Sequence, residues 1–341
     1  MNYPFVAVVG QETMKRALLL NIVNPDIGGV LIRGEKGTGK SLCVRGLTEL
    51  LPDIDTVLGC RYNCEPTDMD RLCSDCAEKA RKKSLEPERR PMRMVNLPLN
   101  VTEDRLVGSI DIEKVLSRGQ KAVEMGLLAE AHRGILYIDE INLLDDNIVD
   151  VLLDAAAMGV VTVEREGISL NYPSRFIMVG SMNPEEGELR PQLLDRLALV
   201  ADVKGLTDPE QRVSVMVLRE EFSKDPDAFI EKYRSETLAM KRKVAKAREV
   251  LPSVKISQGI LETIARVAVA FGVDGHRADI IIERTARTAA AFDGRTQVEG
   301  SDLVTACELA LPHRMRRQPF EEGEFSRTQL HNLIERFQKE T

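Results

Sequence analysis

The sequence predicts an α/β protein, with a three-layer αβα domain built on a mostly parallel sheet and a smaller all-helical domain after it. Three short apolar runs, at residues 30–32, 135–138 and 176–179, have the composition of buried strands. Apolar residues at helical spacing, as in residues 147–157, lie between them. After about residue 202, strand-like runs give way to long charged helices. The alternation indicates a ligand at the carboxyl ends of the strands.

Length and composition indicate an ordinary globular protein of about two domains. The chain has 341 residues, 43% of them hydrophobic, and a formal net charge of -7. This acidic balance argues against a nucleic-acid partner, and no apolar run is long enough for a membrane span. We expect a location in the cytoplasm, or in the plastid stroma if a transit peptide has been removed. The predicted domains are an α/β core at 1–202, a helical connector at 203–253 and a helical domain at 254–341.

Residues 34–41, here called the phosphate loop, carry the full G-x-x-x-x-G-K-S pattern between a predicted strand and a predicted helix. In this pattern backbone N–H groups surround the phosphates, Lys40 reaches the β and γ phosphates, and the Ser41 hydroxyl ligates magnesium. The cofactors predicted here are ATP and Mg²⁺. The predicted nucleotide-binding residues are Gly34, Glu35, Lys36, Gly37, Thr38, Gly39, Lys40 and Ser41.

Polar residues follow the second and third predicted strands. Asp139 and Glu140 end the second strand. An aspartate there can hold the Mg²⁺ of Mg-ATP, and the adjacent glutamate can polarise the attacking water. Asn183 follows the third strand, where its amide can hydrogen-bond the γ-phosphate or that water, although Asn-Pro alone is commonly just a turn. The order of loop, acidic strand end and polar strand end indicates an ATPase.

Several segments taken together resemble the I subunits of magnesium chelatase, which are ATPases of the AAA+ class. The stretch Asn-Pro-Glu-Glu-Gly-Glu-Leu-Arg-Pro-Gln, residues 183–192, is the most specific, because simple clamp-loader and chaperone ATPases lack it. The resemblance covers nearly the whole chain and implies an AAA+ core followed by a helical lid, with Gln11 also near the nucleotide. The matching segments are residues 9–11, 34–41, 139–145, 163–168, 180–196 and 274–279.

The resemblance implies that the active site is completed between subunits. Arg196 would be the arginine finger that reaches a neighbour's ATP, with Arg190 as the fallback and a salt bridge to Asp195 or Asp202 as the alternative. Arg277 would be the second sensor, on the helical domain, or else a surface arginine at a helix start. A finger acting in trans implies a homo-oligomeric ring, hexameric in this family.

The resemblance also implies partners and a reaction. The partners would be a D-type subunit with AAA+ and integrin-like parts and, transiently, an H-type subunit that holds the tetrapyrrole. Two hairpin-like insertions, at roughly 97–127 and 162–172, would contact partners, and the turn at 165–167 independently supports the second. The reaction would be ATP-driven insertion of Mg²⁺ into protoporphyrin IX.

Some positions depart from the family pattern and leave alternatives open. Met182, Leu197 and His276 stand where glycine, phenylalanine and leucine are common. The form around His276, together with residues 312–317, is also similar to the ATPase parts of cobalt chelatases, which serve corrinoid synthesis. A third hypothesis, from another class, is a MoxR-like AAA+ chaperone that activates a metal-binding protein.

Four cysteines lie close together in the pattern C-x3-C-x8-C-x2-C. Four thiols this close can hold zinc or an iron–sulfur cluster, although the spacing is not a standard zinc pattern. Reversible thiol oxidation and unliganded thiols are the alternatives. Cys43 lies inside the helix predicted after the phosphate loop, Cys307 lies on an apolar helix face, and both are predicted to be core residues. The four clustered residues are Cys60, Cys64, Cys73 and Cys76.

Overall fold

The structure, a computed structural model, describes residues 1–110, 123–165, 168–315 and 325–340. The helices are α1 Glu12–Val23, α2 Lys40–Gly46, α3 Ser74–Lys82, α4 Glu103–Val107, α5 Leu127–Glu130, α6 Asp146–Met158, α7 Pro191–Arg196, α8 Pro209–Lys224, α9 Pro226–Lys232, α10 Arg234–Val250, α11 Gln258–Ala270, α12 Arg277–Phe292, α13 Gly300–Ala310 and α14 Arg327–Glu340. The strands are β1 Val30–Gly34, β2 Asp53–Val57, β3 Pro87–Pro91, β4 Met94–Leu97, β5 Gly108–Ile110, β6 Val123–Met125, β7 Ile135–Ile138, β8 Val160–Arg165, β9 Ile168–Pro173, β10 Ile177–Met182 and β11 Leu199–Val203.

The main sheet has five parallel strands in the order β11-β1-β10-β7-β4. Helices precede and follow these strands along the chain, so the predicted α/β class is confirmed. The three predicted strands correspond to β1, β7 and β10. Sequence reasoning did not identify the two edge strands, β4 and β11. No helix in the described ranges is both long and apolar enough to cross a membrane.

The described chain divides into two compact units, the first made of residues 1–50 and 197–341. In this unit β1 pairs with β11 in parallel, with Val30 opposite Leu199. The helices α11 to α13 bury an apolar interior that includes Ile282 and Leu303. This helical part corresponds to the predicted lid, and the predicted boundaries at 202 and 253 stay predictions.

The second unit comprises residues 51–196. Its three parallel strands, β4, β7 and β10, are aligned at Ile135, which lies opposite both Met94 and Ile177. Every residue of β7 and β10 is buried. Three antiparallel pairs accompany them: β2 with β3, β5 with β6, and β8 with β9. The β5–β6 pair falls within the insertion predicted at 97–127, and the β8–β9 pair extends slightly beyond the one predicted at 162–172. Residues 111–122 and 166–167 lie outside the described residues.

Candidate nucleotide site and cysteine cluster

The phosphate loop lies in the first unit, between β1 and α2. Gly37 and Gly39 have φ of 79° and 84°, a left-handed conformation that glycine adopts without strain. The Nζ of Lys40 donates hydrogen bonds to the carbonyls of Gly34 at 2.5 Å and Glu35 at 2.7 Å. The Thr38 hydroxyl also donates to the Glu35 carbonyl, at 2.9 Å. The loop is therefore closed by its own polar groups, with its lysine folded back onto it.

The start of the loop is fixed by close contact with β11. A Cβ atom on Gly34 would lie 2.1 Å from the Val203 carbonyl oxygen, so only glycine fits there. Gln11 is also beside this strand's end, because its Nε2 donates to the Lys204 carbonyl at 3.0 Å. On the same strand Asp202 accepts two hydrogen bonds from Arg33, at 2.6 and 3.0 Å. Asp202 is thus paired with Arg33.

The second unit places Asp139, Glu140 and Ser181 together at the carboxyl ends of β7 and β10. The Ser181 hydroxyl donates to Asp139 Oδ1 and accepts a hydrogen bond from the Glu140 N–H at 3.3 Å. Glu140 has φ of 54°, in the left-handed region. Sequence reasoning gave Ser181 no role. The available signal was its position as a polar residue at the end of an apolar strand. The parallel pairing of β10 with β7 ends with Gly180 opposite Ile138, the residues directly before Ser181 and Asp139.

Asn183 follows directly after β10 and is 5% exposed. Its Oδ1 accepts a hydrogen bond from the Glu185 N–H at 3.3 Å, which caps the turn Pro184–Glu186. Its Nδ2 has no hydrogen-bond partner in the part of the chain that the structure describes. The turn interpretation and the functional one are therefore compatible, because the oxygen holds the turn while the amide N–H groups can serve a ligand.

The two candidate finger arginines differ in their local contacts. Arg190 bridges to Asp146 at 3.3 Å and Asp150 at 3.1 Å, both on α6. Arg196 is the last residue of α7, and it forms no ion pair or side-chain hydrogen bond within the described ranges. Arg277 is the first residue of α12, in the first unit, and its side chain is exposed. These contacts favour Arg196 over Arg190 for a role outside its own unit.

Residues 58–76, here called the cysteine segment, bring the four clustered cysteines together in the second unit. All are buried, none forms a disulfide, and their Sγ atoms lie within 4.8 Å of one another. Hydrogen bonds from the Cys64 and Cys73 thiols lower the pKa of Cys60. In contrast, burial raises the pKa of Cys43 to about 12, as befits the predicted core residue.

His132 is buried in the second unit. Its Nδ1 accepts a hydrogen bond from the Arg175 N–H at 2.9 Å. Burial, and then the nearby Arg133 charge, lower the pKa of the imidazole to about 4. The side chain is therefore neutral at physiological pH.

Two known families match this chain. Residues 4–190 match the family described as magnesium chelatase, subunit ChlI, and residues 261–333 match the AAA lid domain. A magnesium-chelatase subunit ChlI homolog of Methanocaldococcus jannaschii is 54% identical over 99% of this chain and 92% of that protein. The chain belongs to the magnesium chelatase ChlI family. The resemblance inferred from the motifs is thus confirmed, and with it the AAA-type ATPase core and lid.

Other relatives agree with this assignment. The magnesium-chelatase subunit ChlI of Nostoc sp. is 49% identical over 94% of this chain and 86% of that protein. A chloroplastic ChlI-2 of Arabidopsis thaliana is 50% identical over 94% of this chain and 77% of that protein.

Two solved structures are also similar. One is a complex between subunits BchI and BchD of magnesium chelatase; its matching chain is 45% identical, with a TM-score of 0.52, over 93% of this chain and 97% of that one. A putative ATPase from Cytophaga hutchinsonii is 18% identical, with a TM-score of 0.61, over 97% of this chain and 91% of that one. The latter likeness concerns the fold alone.

Proposed function

We propose that this chain is the ATP-hydrolysing motor subunit of a magnesium chelatase, which inserts Mg²⁺ into protoporphyrin IX together with D-type and H-type subunits. The observation that carries the proposal is the 54% identity to a ChlI homolog over 99% of the chain, combined with a complete phosphate loop. ATP hydrolysis by this chain supplies the energy, and the tetrapyrrole is held by the H-type partner. The predicted location remains the cytoplasm, or the plastid stroma after removal of a transit peptide.

The chemistry assigns each polar group a separate task. The phosphate loop and Gln11 bind ATP, with Lys40 on the β and γ phosphates and Ser41 and Asp139 holding Mg²⁺. Glu140 polarises the attacking water. Asn183 orients that water or the γ-phosphate through its Nδ2 group. Three more residues have supporting tasks: Ser181 holds the Asp139 carboxylate, Arg277 senses the nucleotide from the lid, and Arg196 stabilises the charge that develops on a neighbouring subunit's γ-phosphate.

A homo-oligomeric ring, hexameric by family resemblance, follows from an arginine finger that acts in trans. A feature of α8 supports self-association: none of its residues is buried. Val213, Met216 and Val217 on this helix are 53%, 63% and 48% exposed. Apolar exposure of this kind is typical of a protein–protein interface. The D-type partner is supported by the solved BchI–BchD complex, whose matching chain is 45% identical to this one.

The four-cysteine group adds a second proposed cofactor, zinc or an iron–sulfur cluster, with a role separate from ATP chemistry. Because the form around His276 also resembles the cobalt chelatase pattern, insertion of Co²⁺ into a corrinoid precursor is the second candidate reaction.

The test is ATP hydrolysis by the purified chain, alone and with D-type and H-type subunits, while absorption and fluorescence spectra follow Mg²⁺ or Co²⁺ insertion. We expect Mg²⁺ insertion into protoporphyrin IX that needs this chain, both partners and ATP. Insertion of Co²⁺ alone would replace the proposed reaction with the cobalt one. ATPase activity with no insertion in any pairing would contradict the proposal and favour the MoxR-like chaperone.

A further inference from the structure

The cysteine segment has the dimensions of a site for a single metal ion. The four Sγ atoms lie within 4.8 Å of one another, and those of Cys60 and Cys73 are 3.9 Å apart. With zinc–sulfur bonds of about 2.3 Å, two thiolates on one tetrahedral ion are about 3.8 Å apart and never more than about 4.6 Å. The thiols therefore already have nearly the spacing that one tetrahedral ion requires.

The same spacing argues against an iron–sulfur cluster. In a cluster, the four cysteines are divided among at least two irons, and inorganic sulfides lie between those irons. Thiolates on different irons must then be farther apart than the two bond lengths that separate ligands of a single ion. A group in which every sulfur is within 4.8 Å of the others has no room for such a core without opening.

The backbone around the cysteines is shaped to present their sulfurs. Gly59 and Asn63, which immediately precede Cys60 and Cys64, have φ of 72° and 51°, and glycine and asparagine are the residues that adopt this conformation most readily. The Cys73 N–H donates to the Cys64 sulfur at 3.1 Å. Two tight turns thus direct the sulfurs of Cys60 and Cys64 toward those of Cys73 and Cys76. The hydrogen bond to the Cys64 sulfur orients that sulfur, as hydrogen bonds to the ligands do in metal sites.

Two arginines, each also paired with a glutamate, donate hydrogen bonds to backbone carbonyls of the cysteine segment, where one divalent ion on four thiolates would leave two negative charges. Arg90 donates to the Cys60 carbonyl at 3.0 Å. Arg133 donates to the Asn63 carbonyl at 3.2 Å and pairs with Glu65 at 3.3 Å. Cys73 is the residue from which α3 begins, so a helix N-terminus also faces the second pair.

We propose that Cys60, Cys64, Cys73 and Cys76 bind one structural Zn²⁺ ion through four thiolates. Zinc is favoured because a closed site of four thiolates at tetrahedral spacing is typical of structural zinc. The inference does not rest on the proposed chelatase function, since the four cysteines belong to the second unit, the phosphate loop belongs to the first, and no ATP chemistry is involved.

The zinc would stabilise the bases of both antiparallel insertions. Tyr62, between the first two cysteines, stacks on Tyr172 of β9 with ring centroids 5.4 Å apart and planes 14° apart. The Tyr172 hydroxyl in turn donates to the Val107 carbonyl at 2.6 Å, just before β5. By fixing the position of Tyr62, one ion would stabilise its contact with β9 and, through Tyr172, the start of β5.

The first measurement is elemental analysis of the full chain, purified without chelators or an affinity metal. We expect about one zinc ion per chain, little iron and no visible absorption. Growth with Co²⁺ in place of zinc should give the strong visible bands of a tetrahedral cobalt–thiolate centre. Iron near one ion per chain, or a colourless chain holding less than about a tenth of an ion, would overturn the inference.

Variants assign the ion to these cysteines. Cys64→Ser should lower zinc affinity by at least about tenfold, measured by competition with a chromogenic chelator. Cys307→Ser, a change at an equally buried cysteine of α13, should keep zinc. If Cys64→Ser fails to fold, Cys76→His offers a ligand that zinc accepts and should retain the ion. Full zinc content in Cys64→Ser, or equal loss in Cys307→Ser, would contradict the assignment.

Discussion

The phosphate loop and the cysteine segment are both short turns proposed to bind ligands, but they are constructed differently. The groups that the loop offers are consecutive backbone N–H groups and two adjacent side chains, so the site is local in sequence. The cysteine segment offers four side chains, two that follow tight turns and two at the start of α3, and these meet only after the chain has folded. A site whose groups are consecutive in sequence can be predicted from a pattern. A site whose groups are brought together by folding can be predicted only in part.

The same difference determines how much each ligand contributes to the stability of the fold. The loop keeps its shape through its own hydrogen bonds from Lys40 and Thr38, so loss of nucleotide should leave the fold unchanged. The cysteine segment has four buried thiols around one point, and a metal there contributes its binding free energy to folding. We therefore expect variants of the loop to affect activity and variants of the cysteines to affect stability.

The largest expected effect is that of Lys40→Ala. Without its ammonium group the β and γ phosphates lose their main charge partner, so ATP hydrolysis should fall below detection. Far-ultraviolet circular dichroism, melting temperature and zinc content should match the wild type. Arg336→Ala, at an exposed surface pair with Glu340 on α14, is the control and should keep full activity. Loss of zinc or of fold in Lys40→Ala would show that the two regions are not independent.

Glu140→Gln should separate binding from hydrolysis within the nucleotide site. The amide cannot accept a proton from water, and removal of a general base lowers rates by about 10²–10⁴. ATP binding, measured with a fluorescent analogue, should be retained. Ser181→Ala should give a smaller loss and a raised Mg²⁺ requirement, because Ser181 only positions Asp139 through its hydroxyl. Normal turnover in Glu140→Gln would contradict the assigned role.

Features that are local in sequence are predictable here, and features that depend on the folded structure are not. The central strands β1, β7 and β10 are predictable because buried parallel strands are continuous apolar runs. Nothing in the sequence Pro-Glu-Arg-Arg-Pro predicts β3, which is extended because it pairs with β2. The role of Ser181 depends on the register between β10 and β7, and register is a property of the folded sheet. The choice of zinc over a cluster depends on sulfur spacing, which the sequence does not contain.

Subunit mixing tests whether the nucleotide site, unlike the cysteine site, needs a second chain. Glu140→Gln and Arg196→Ala should each be inactive alone. In mixed rings, an Arg196→Ala subunit beside a Glu140→Gln subunit regains a complete site, so at equal ratio about one quarter of interfaces should be active. No recovery, in rings shown to contain both chains, would favour a finger acting within its own chain or Arg190 instead. Arg190→Ala with Glu140→Gln is the parallel experiment.

The smallest expected effects come from the same substitution made in both regions. Gly39 and Gly59 have φ of 84° and 72°, and an added Cβ atom on either would have no neighbour within 4 Å. Within the chain itself, alanine therefore introduces only backbone strain, about 1–2 kcal/mol at each position. Gly39→Ala should weaken ATP binding by about tenfold or more, because the added methyl group also faces the bound phosphates, and leave zinc unchanged.

Gly59→Ala should instead lower the melting temperature by about 2–4 °C and increase zinc loss to a chelator, with an unchanged KM for ATP. Gly205→Ala is the matched control, because that glycine has equally open surroundings and no left-handed backbone; it should change neither property. If Gly39→Ala and Gly59→Ala weakened ATP binding equally, the cysteine segment would be part of the nucleotide site, and the distinction between a local site and a folded one would fail.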